Sequence, residues 1–102
     1  MGKWAFIYIL DEPGARARID TVGTLICVGV PALADAPAQA RRLLAEGVEL
    51  IELCGGFAGA GLAAVVAAVE NRVPVGAVFY GVEAAAALNR LFPAAQSVPP
   101  GR

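Results

Sequence analysis

The chain has 102 residues, which corresponds to one domain with a single hydrophobic core. It is 58% hydrophobic and 17% charged with a net charge of -1, so it lacks the clustered basic surface that nucleic-acid binding requires. The absence of histidine excludes histidine-based triads and HExxH zinc sites, and leaves carboxylate, thiol, tyrosine and backbone groups for chemistry. Two cysteines are too few for a disulfide scaffold, and we expect reduced, buried thiols in a cytoplasmic protein.

The first third of the chain predicts two strands. Trp4 to Leu10 is short and rich in aromatic and branched residues, as in a buried strand, and turn residues 11–14 end it. The polar segment 16–20 is predicted to be an exposed loop. Thr21 to Val30 predicts the second strand, which ends at Pro31.

Two helices flank the third predicted strand. The first begins after Asp35, a suitable N-cap, and stops at Gly47, after which the apolar stretch 48–54 predicts a strand. The second runs from about Gly59 to Asn71, with apolar residues at helical spacing on its core face. The uncharged segment 53–69 approaches membrane-spanning length, but four glycines in its first half argue against a span, and we expect no membrane contact.

The remaining elements complete an α/β pattern. Val73 to Tyr80 predicts a fourth strand, and a third helix follows at about Val82 to Leu91. The order β-β-α-β-α-β-α predicts an α/β fold with a single-layer, four-stranded, mostly parallel sheet and three helices. The direction of the first strand is left open because no helix follows it. We expect a single domain over residues 1–93 and a flexible C-terminal tail over 94–102.

Four segments carry a resemblance to a known family. They are residues 3–8, 28–31, 46–57 and 73–76, and the most specific contains the sequence VELIELCGGF at 48–57. The chain resembles a bacterial domain-of-unknown-function family of about hundred-residue proteins, serial six-five-zero-six. The family brings no established activity, so the resemblance implies no catalytic role for any residue.

The third predicted strand contains the main candidate for chemistry. Side chains alternate along a strand, so Glu52 shares one face with Leu50 and Cys54, near the carboxyl end where α/β sheets bind ligands. We expect Glu52 to be buried and to act as a general acid or base. The alternative is a structural Glu52 that lies on an exposed sheet face or pairs with an arginine such as Arg72.

The residues that follow Glu52 form the rest of the predicted site. Cys54 is a second catalytic candidate because it precedes a glycine turn and a helix N-terminus, although a buried structural thiol is the alternative. Backbone amides of the glycine turn could hold an anion. The predicted substrate-binding residues are Gly55, Gly56, Phe57, Tyr80 and Glu83. We expect no metal and no cofactor, because the sequence contains neither a P-loop nor a correctly placed dinucleotide fingerprint.

Two functional hypotheses follow from these residues. The first is a cofactor-independent enzyme, of lyase, isomerase or cyclase type, that acts on a small carbonyl or carboxylate compound by acid/base chemistry. The second is a non-catalytic module for small-ligand binding or assembly, which the shortage of polar groups favours. Whether the protein is an enzyme at all is left open.

Self-association is predicted from the second helix. Its side away from the core carries the alanines Ala63, Ala64, Ala67 and Ala68, which would form a smooth strip against another copy. We expect a homodimer or a larger closed ring with the site near the subunit boundary. The alternative is a monomer, because alanine also favours exposed helices.

Overall fold

The computed structural model describes residues 2–12 and 14–93 of the chain. The strands are β1 (Trp4–Ile9), β2 (Arg18–Val22), β3 (Leu25–Val30), β4 (Ile51–Leu53) and β5 (Val75–Ala77). The helices are α1 (Ala36–Ala45), α2 (Ala58–Val69) and α3 (Ala85–Leu91). Each helix is preceded by a short 3-10 turn, at Leu33–Asp35, Gly55–Phe57 and Val82–Ala84. The predicted tail 94–102 lies outside the described residues.

The five strands form one mixed sheet in the order β2-β3-β1-β4-β5. Strand β1 is central and parallel to both of its neighbours, β3 and β4, which answers the question of its direction. Strand β5 is parallel to β4, and only the edge strand β2 is antiparallel. The predicted four-stranded sheet is therefore wrong in its strand number, although the α/β class and the three helices are confirmed.

The additional strand arises from a hairpin within the second predicted strand. Gly23 has a φ of +59° and, with Thr24, links β2 to β3 through a two-residue turn. A glycine with positive φ at the first turn position is typical of a hairpin turn. Residues 18–20, which were predicted to be loop, consequently pair with β3 as part of the edge strand.

The hydrophobic core lies between one face of the sheet and helices α1 and α2. Apolar residues from β1, β3 and β4 interlock with both helices in one buried cluster. Its largest fully buried side chains are Phe57, Ile7, Leu43, Ile51, Leu53, Val28, Val30, Val65 and Val69. The predicted core face of the second helix is confirmed at Val65 and Val69, which are fully buried, whereas Leu62 is half-buried at the edge of the cluster.

The opposite face of the sheet has no helix of the described chain packed against it. The register aligns Phe6 of β1 with Cys27 of β3 and Glu52 of β4, and these side chains share this face. Phe6 and Cys27 are half-buried and Glu52 is exposed. We call this surface the open face. The fold therefore has two layers, one of sheet and one of helix, and its sheet is covered on one side only.

Candidate functional site

The carboxyl ends of β4 and β5 form the rim where the sequence predicts a site. Beyond β4, the Cys54 N–H donates a hydrogen bond of 3.0 Å to the Ile7 carbonyl, and beyond β5 the Val78 N–H donates one of 2.9 Å to the Leu53 carbonyl. The Phe57 N–H then donates to the Cys54 carbonyl at 3.1 Å, which closes the 3-10 turn. These bonds hold the ends of both strands and the glycine turn in one rigid rim.

Glu52 lies on the open face and not in the core. Its register neighbours are Phe6 and Gly76, and its carboxylate makes no hydrogen bond or ion pair with the described residues. The predicted burial of Glu52 is therefore wrong for the single chain, and the alternative pairing with Arg72 is not formed. The physical reason is the one-sided covering of the sheet, since α1 and α2 both pack on the other face. Glu52 instead borders a cleft of about 330 Å³ with residues 76–79.

The glycine turn is closely packed against its surroundings. A methyl group on Gly56 would lie 2.8 Å from Cδ1 of Ile9, so a side chain at this position requires Ile9 to move. A methyl group on Gly55 would lie 3.3 Å from Cε2 of Tyr80, so the tyrosine ring lies against this backbone. Cys54 is a free, half-buried cysteine that packs at the edge of the core.

Three of the predicted binding residues, Gly56, Phe57 and Glu83, do not border the rim clefts. Phe57 is 1% exposed and belongs to the core, where it contacts the first turn of α2 at Gly61. Glu83 is exposed, and its carboxylate folds back against Gly81. Neither side chain borders the clefts described on the rim. Phe57 follows the glycine turn at the rim, as the sequence predicts, but its large apolar ring is buried in the core.

A second cleft of about 440 Å³ lies on the other side of residues 77–79. Gly55 and Tyr80 border it, together with four residues that were not predicted as site residues: Ala58, Gly59, Leu62 and Leu88. The two clefts share residues 77–79 as a common wall, so the predicted acid and the predicted binding residues occupy neighbouring clefts. We call the larger one the glycine cleft. The signal that could have indicated Leu62 and Leu88 is that both lie near the start of a helix that follows a strand end.

The backbone at the edge of the glycine cleft is strained. Ala58 has a φ of +52° and a ψ of -172°, a conformation that essentially only glycine adopts without strain. It lies where the 3-10 turn joins α2, directly beside Gly59. Conformations of this kind cost about 1–3 kcal/mol each and occur preferentially at functional sites.

A family model for a family of unknown function, DUF6506, matches residues 2–93. The chain belongs to DUF6506. The match includes every strand and helix of the structure, so both clefts and the open face lie within the region shared with the family. No curated protein and no solved structure matches this chain.

Charged groups of this DUF6506 chain lie mostly away from the rim. Near the amino ends of the strands, Glu49 accepts a hydrogen bond from the Gly2 N–H, and Lys3 donates one of 3.2 Å to the Glu46 carbonyl. No group of three or more potential metal-binding acids or cysteines occurs among the described residues, and none of the described helices is long and apolar enough to span a membrane. The chemistry of the rim therefore rests on Glu52, a tyrosine, a thiol and backbone amides.

Proposed function

We propose that this DUF6506 protein is a non-catalytic module that binds a small, largely apolar molecule carrying a carboxylate group. The observation that carries the proposal is the position and lining of the glycine cleft. The cleft lies at the carboxyl ends of two parallel strands, where α/β sheets bind their ligands. Its volume of about 440 Å³ falls in the range of small-molecule sites.

The lining of the glycine cleft favours a ligand with one apolar and one anionic end. Leu62, Leu88 and the ring of Tyr80 supply apolar contact. Gly55 begins the 3-10 turn, and the first N–H groups of a helical turn have no acceptor within it. Such amides at the end of a strand suit a carboxylate oxygen. The strain at Ala58 is a second argument, because strained backbone is common where a ligand is held.

Two glycines allow the clefts to be tested separately. A Cβ atom added at Gly59, in the glycine cleft, or at Gly76, beside Glu52, meets no atom within 4 Å beyond its chain neighbours and the backbone of its own helix, and neither residue has a positive φ. Gly59→Phe should therefore fill the glycine cleft, and Gly76→Phe should fill its neighbour, with little effect on folding. Saturation-transfer NMR with a panel of aromatic and aliphatic carboxylates, and with matched primary amides, would measure binding.

We expect the parent and Gly76→Phe to bind carboxylates in preference to the matched amides, and Gly59→Phe to lose this binding. Loss in Gly76→Phe alone would contradict the proposal and would assign the ligand to the cleft of Glu52. Absence of binding by the parent across the panel would also contradict it. Circular dichroism spectra of all three proteins provide the folding control.

A cofactor-independent enzyme of lyase, isomerase or cyclase type is the second candidate function, and one observation favours it. The Glu52 carboxylate has no partner among the described residues and borders a cleft at a strand end, so it is free to accept a proton from a carbonyl or carboxylate compound. A carboxylate in water is a weak base. Because burial makes a carboxylate more basic, the enzyme hypothesis requires a further molecule or segment that covers Glu52 on the open face. Glu52→Gln should then retain binding of a cognate ligand and lose turnover.

The proposed setting is the bacterial cytoplasm, which the two free cysteines support. The alanine strip is one proposed surface for self-association: Ala63, Ala64 and Ala67 are exposed on α2, and Ala68 is half-buried. Light scattering of the parent and Ala67→Glu would test this surface, because a new charge within a closely packed strip should separate the copies.

A further inference from the structure

Large exposed hydrophobic residues cluster in one part of the described chain, the segment that follows β5. Nine such residues are exposed to solvent, and six of them lie within residues 78–92: Val78, Phe79, Tyr80, Val82, Leu91 and Phe92. Helix α3, which lies in this segment, buries none of its residues. Exposed apolar residues that cluster in this way mark an interaction surface, whereas residues scattered singly do not.

The backbone of β5 is also unpaired along its outer side. The Val78 N–H donates a hydrogen bond of 2.9 Å to the Leu53 carbonyl, so the amide of Val78 faces β4. Because backbone groups alternate in direction along a strand, those of Val75, Ala77 and Phe79 point away from the sheet. None of the described residues forms a hydrogen bond with these outward groups.

The two edges of the sheet differ in their protection against pairing with another strand. On the β2 edge, Arg18 and Asp20 form an ion pair of 2.8 Å, and charged side chains on an edge strand oppose such pairing. Residues 73–82, which include β5, contain no charged residue. Pro74 precedes β5 and leaves its outward amides free. The uncharged edge is therefore the one that is ready to accept a strand.

We infer that β5 pairs antiparallel with β5 of a second copy, which joins two five-stranded sheets into one sheet of ten strands. This inference concerns an interaction surface and goes beyond ligand binding. Two identical strands that pair antiparallel are related by a twofold axis, so the assembly closes after two copies. Pairing of β5 with β2 of another copy would not close, and it would bring the charges of β2 to the uncharged edge.

The side chains of β5 are complementary to each other when Ala77 lies on the twofold axis. Each Val78 then lies opposite Gly76 of the second copy, and each Phe79 lies opposite Val75. A Cβ atom added at Gly76 meets no atom within 4 Å beyond its chain neighbours, so this position has room for Val78. Val75 is half-buried at the edge of the core, and an aromatic ring beside a β-branched residue is a favourable cross-strand pair.

The exposed area of the segment is sufficient for a specific dimer. With about 200 Å² for a fully exposed aromatic residue and about 150 Å² for a valine or leucine, the six residues present about 700 Å² per copy. Burial of most of this surface on both copies removes somewhat over about 1,000 Å² from water, which is enough for a specific interface at the small end of the range. The dimer should therefore form and dissociate with protein concentration.

The pairing places both clefts of the rim beside the subunit boundary. Residues 77–79 form the common wall of the two clefts and belong to the paired edge. Val78 of the second copy lies over Gly76, which borders the cleft of Glu52. The second copy therefore contributes a side chain to this cleft and makes it narrower than in the single chain.

Hydrogen exchange of the parent protein tests the pairing without any substitution. We expect sedimentation velocity to show a monomer in dilute protein and a dimer at high concentration. The amides of Val75, Ala77 and Phe79 should exchange rapidly in the monomer, and about tenfold more slowly once about nine tenths of the protein is dimeric, because exchange then requires dissociation. The amides of the other edge strand, β2, should exchange at the same rate at both concentrations.

Two lysine substitutions on opposite edges of the sheet provide a matched pair. Phe79→Lys removes a ring from the proposed interface and adds a charge there, so dimerisation should weaken at least about tenfold. Val22→Lys places the same charge on an exposed apolar residue of β2, and its dimer should be as strong as that of the parent. Circular dichroism in the monomeric concentration range checks that both variants are folded.

Three results would overturn the inference. The first is a parent protein that stays monomeric up to millimolar concentration. The second is a dimer in which the outward amides of β5 exchange as rapidly as in the monomer, because another surface then joins the copies. The third is a dimer that Phe79→Lys and Val22→Lys weaken equally.

Discussion

Replacing Phe57 by alanine should cost a large fraction of the stability of the fold. Phe57 is the largest of the fully buried side chains, and a methyl group on Gly61 would lie 3.1 Å from its Cδ1, so α2 begins directly on this ring. Replacing a buried phenylalanine by alanine leaves a cavity and typically lowers the free energy of unfolding by about 3–5 kcal/mol. For a domain of this size, the loss corresponds to a fall in Tm of at least about 12 °C.

Phe79→Ala is the matched control for Phe57→Ala. Phe79 is 86% exposed, so removing its ring should change the free energy of unfolding by no more than about 0.5 kcal/mol. Urea unfolding of both variants, followed by circular dichroism at one fixed protein concentration, compares a buried with an exposed phenylalanine. A Phe57→Ala variant within about 1 kcal/mol of the parent would refute the placement of this residue in the core, as would equal effects of the two substitutions.

Backbone conformation leads to two further predictions, each measured by urea unfolding at fixed protein concentration. Gly47 has a φ of +87°, so Gly47→Ala should destabilise the fold by about 1–2 kcal/mol although its methyl group meets no atom within 4 Å. The methyl group of Gly59→Ala also meets no atom within 4 Å, but Gly59 has no positive φ, so this variant should be more stable than the parent by up to about 1 kcal/mol. If Gly47→Ala and Gly59→Ala both raised or both lowered the stability, the result would contradict these two predictions. Ala58→Gly relieves the strain at the edge of the glycine cleft and should stabilise the fold by about 1 kcal/mol, so a less stable variant would show that this strain is absent.

The order of most elements could be predicted from the sequence because the signals were local. Gly47 ends the first helix region with a positive φ, as expected of a helix stop, and Val65 and Val69 follow the predicted core spacing. The hairpin between β2 and β3 was missed because Thr21, Val22 and Thr24, which favour strands, flank Gly23 and make the segment resemble one continuous strand. Edge strands such as β2 are also polar, so residues 18–20 resemble a loop.

The burial of Glu52 could not be predicted, and the reason is physical. Trp4, Phe6 and Tyr8 make β1 apolar on both faces, and a strand of this kind indicates a sheet that is covered on both sides. The pattern does not distinguish a face covered by helices of the same chain from a face covered by another molecule. The helices of this chain cover only one face, which leaves Glu52 exposed on the other.

The sequence predicted that Gly55 and Tyr80 lie close together, and they do. They come together at the carboxyl ends of parallel strands, because strand ends meet at one edge of a sheet. Phe57 could not be placed by alternation, since the 3-10 turn that follows β4 breaks the two-residue period and directs this ring into the core. The sharing of residues 77–79 by two clefts depends on tertiary packing alone.

Amide chemical-shift mapping of the protein labelled with nitrogen-15 tests most directly whether the glycine cleft binds a small carboxylate. Titration with the best-binding carboxylate of the panel should shift the amide signals of Gly55, Gly59 and Tyr80, which border this cleft, and leave that of Gly76 in the neighbouring cleft unchanged. The matched primary amide should cause smaller shifts, because it carries no negative charge for the backbone amides of the turn to hold. Shifts confined to Gly76, or no shifts with any carboxylate, would contradict binding in the glycine cleft.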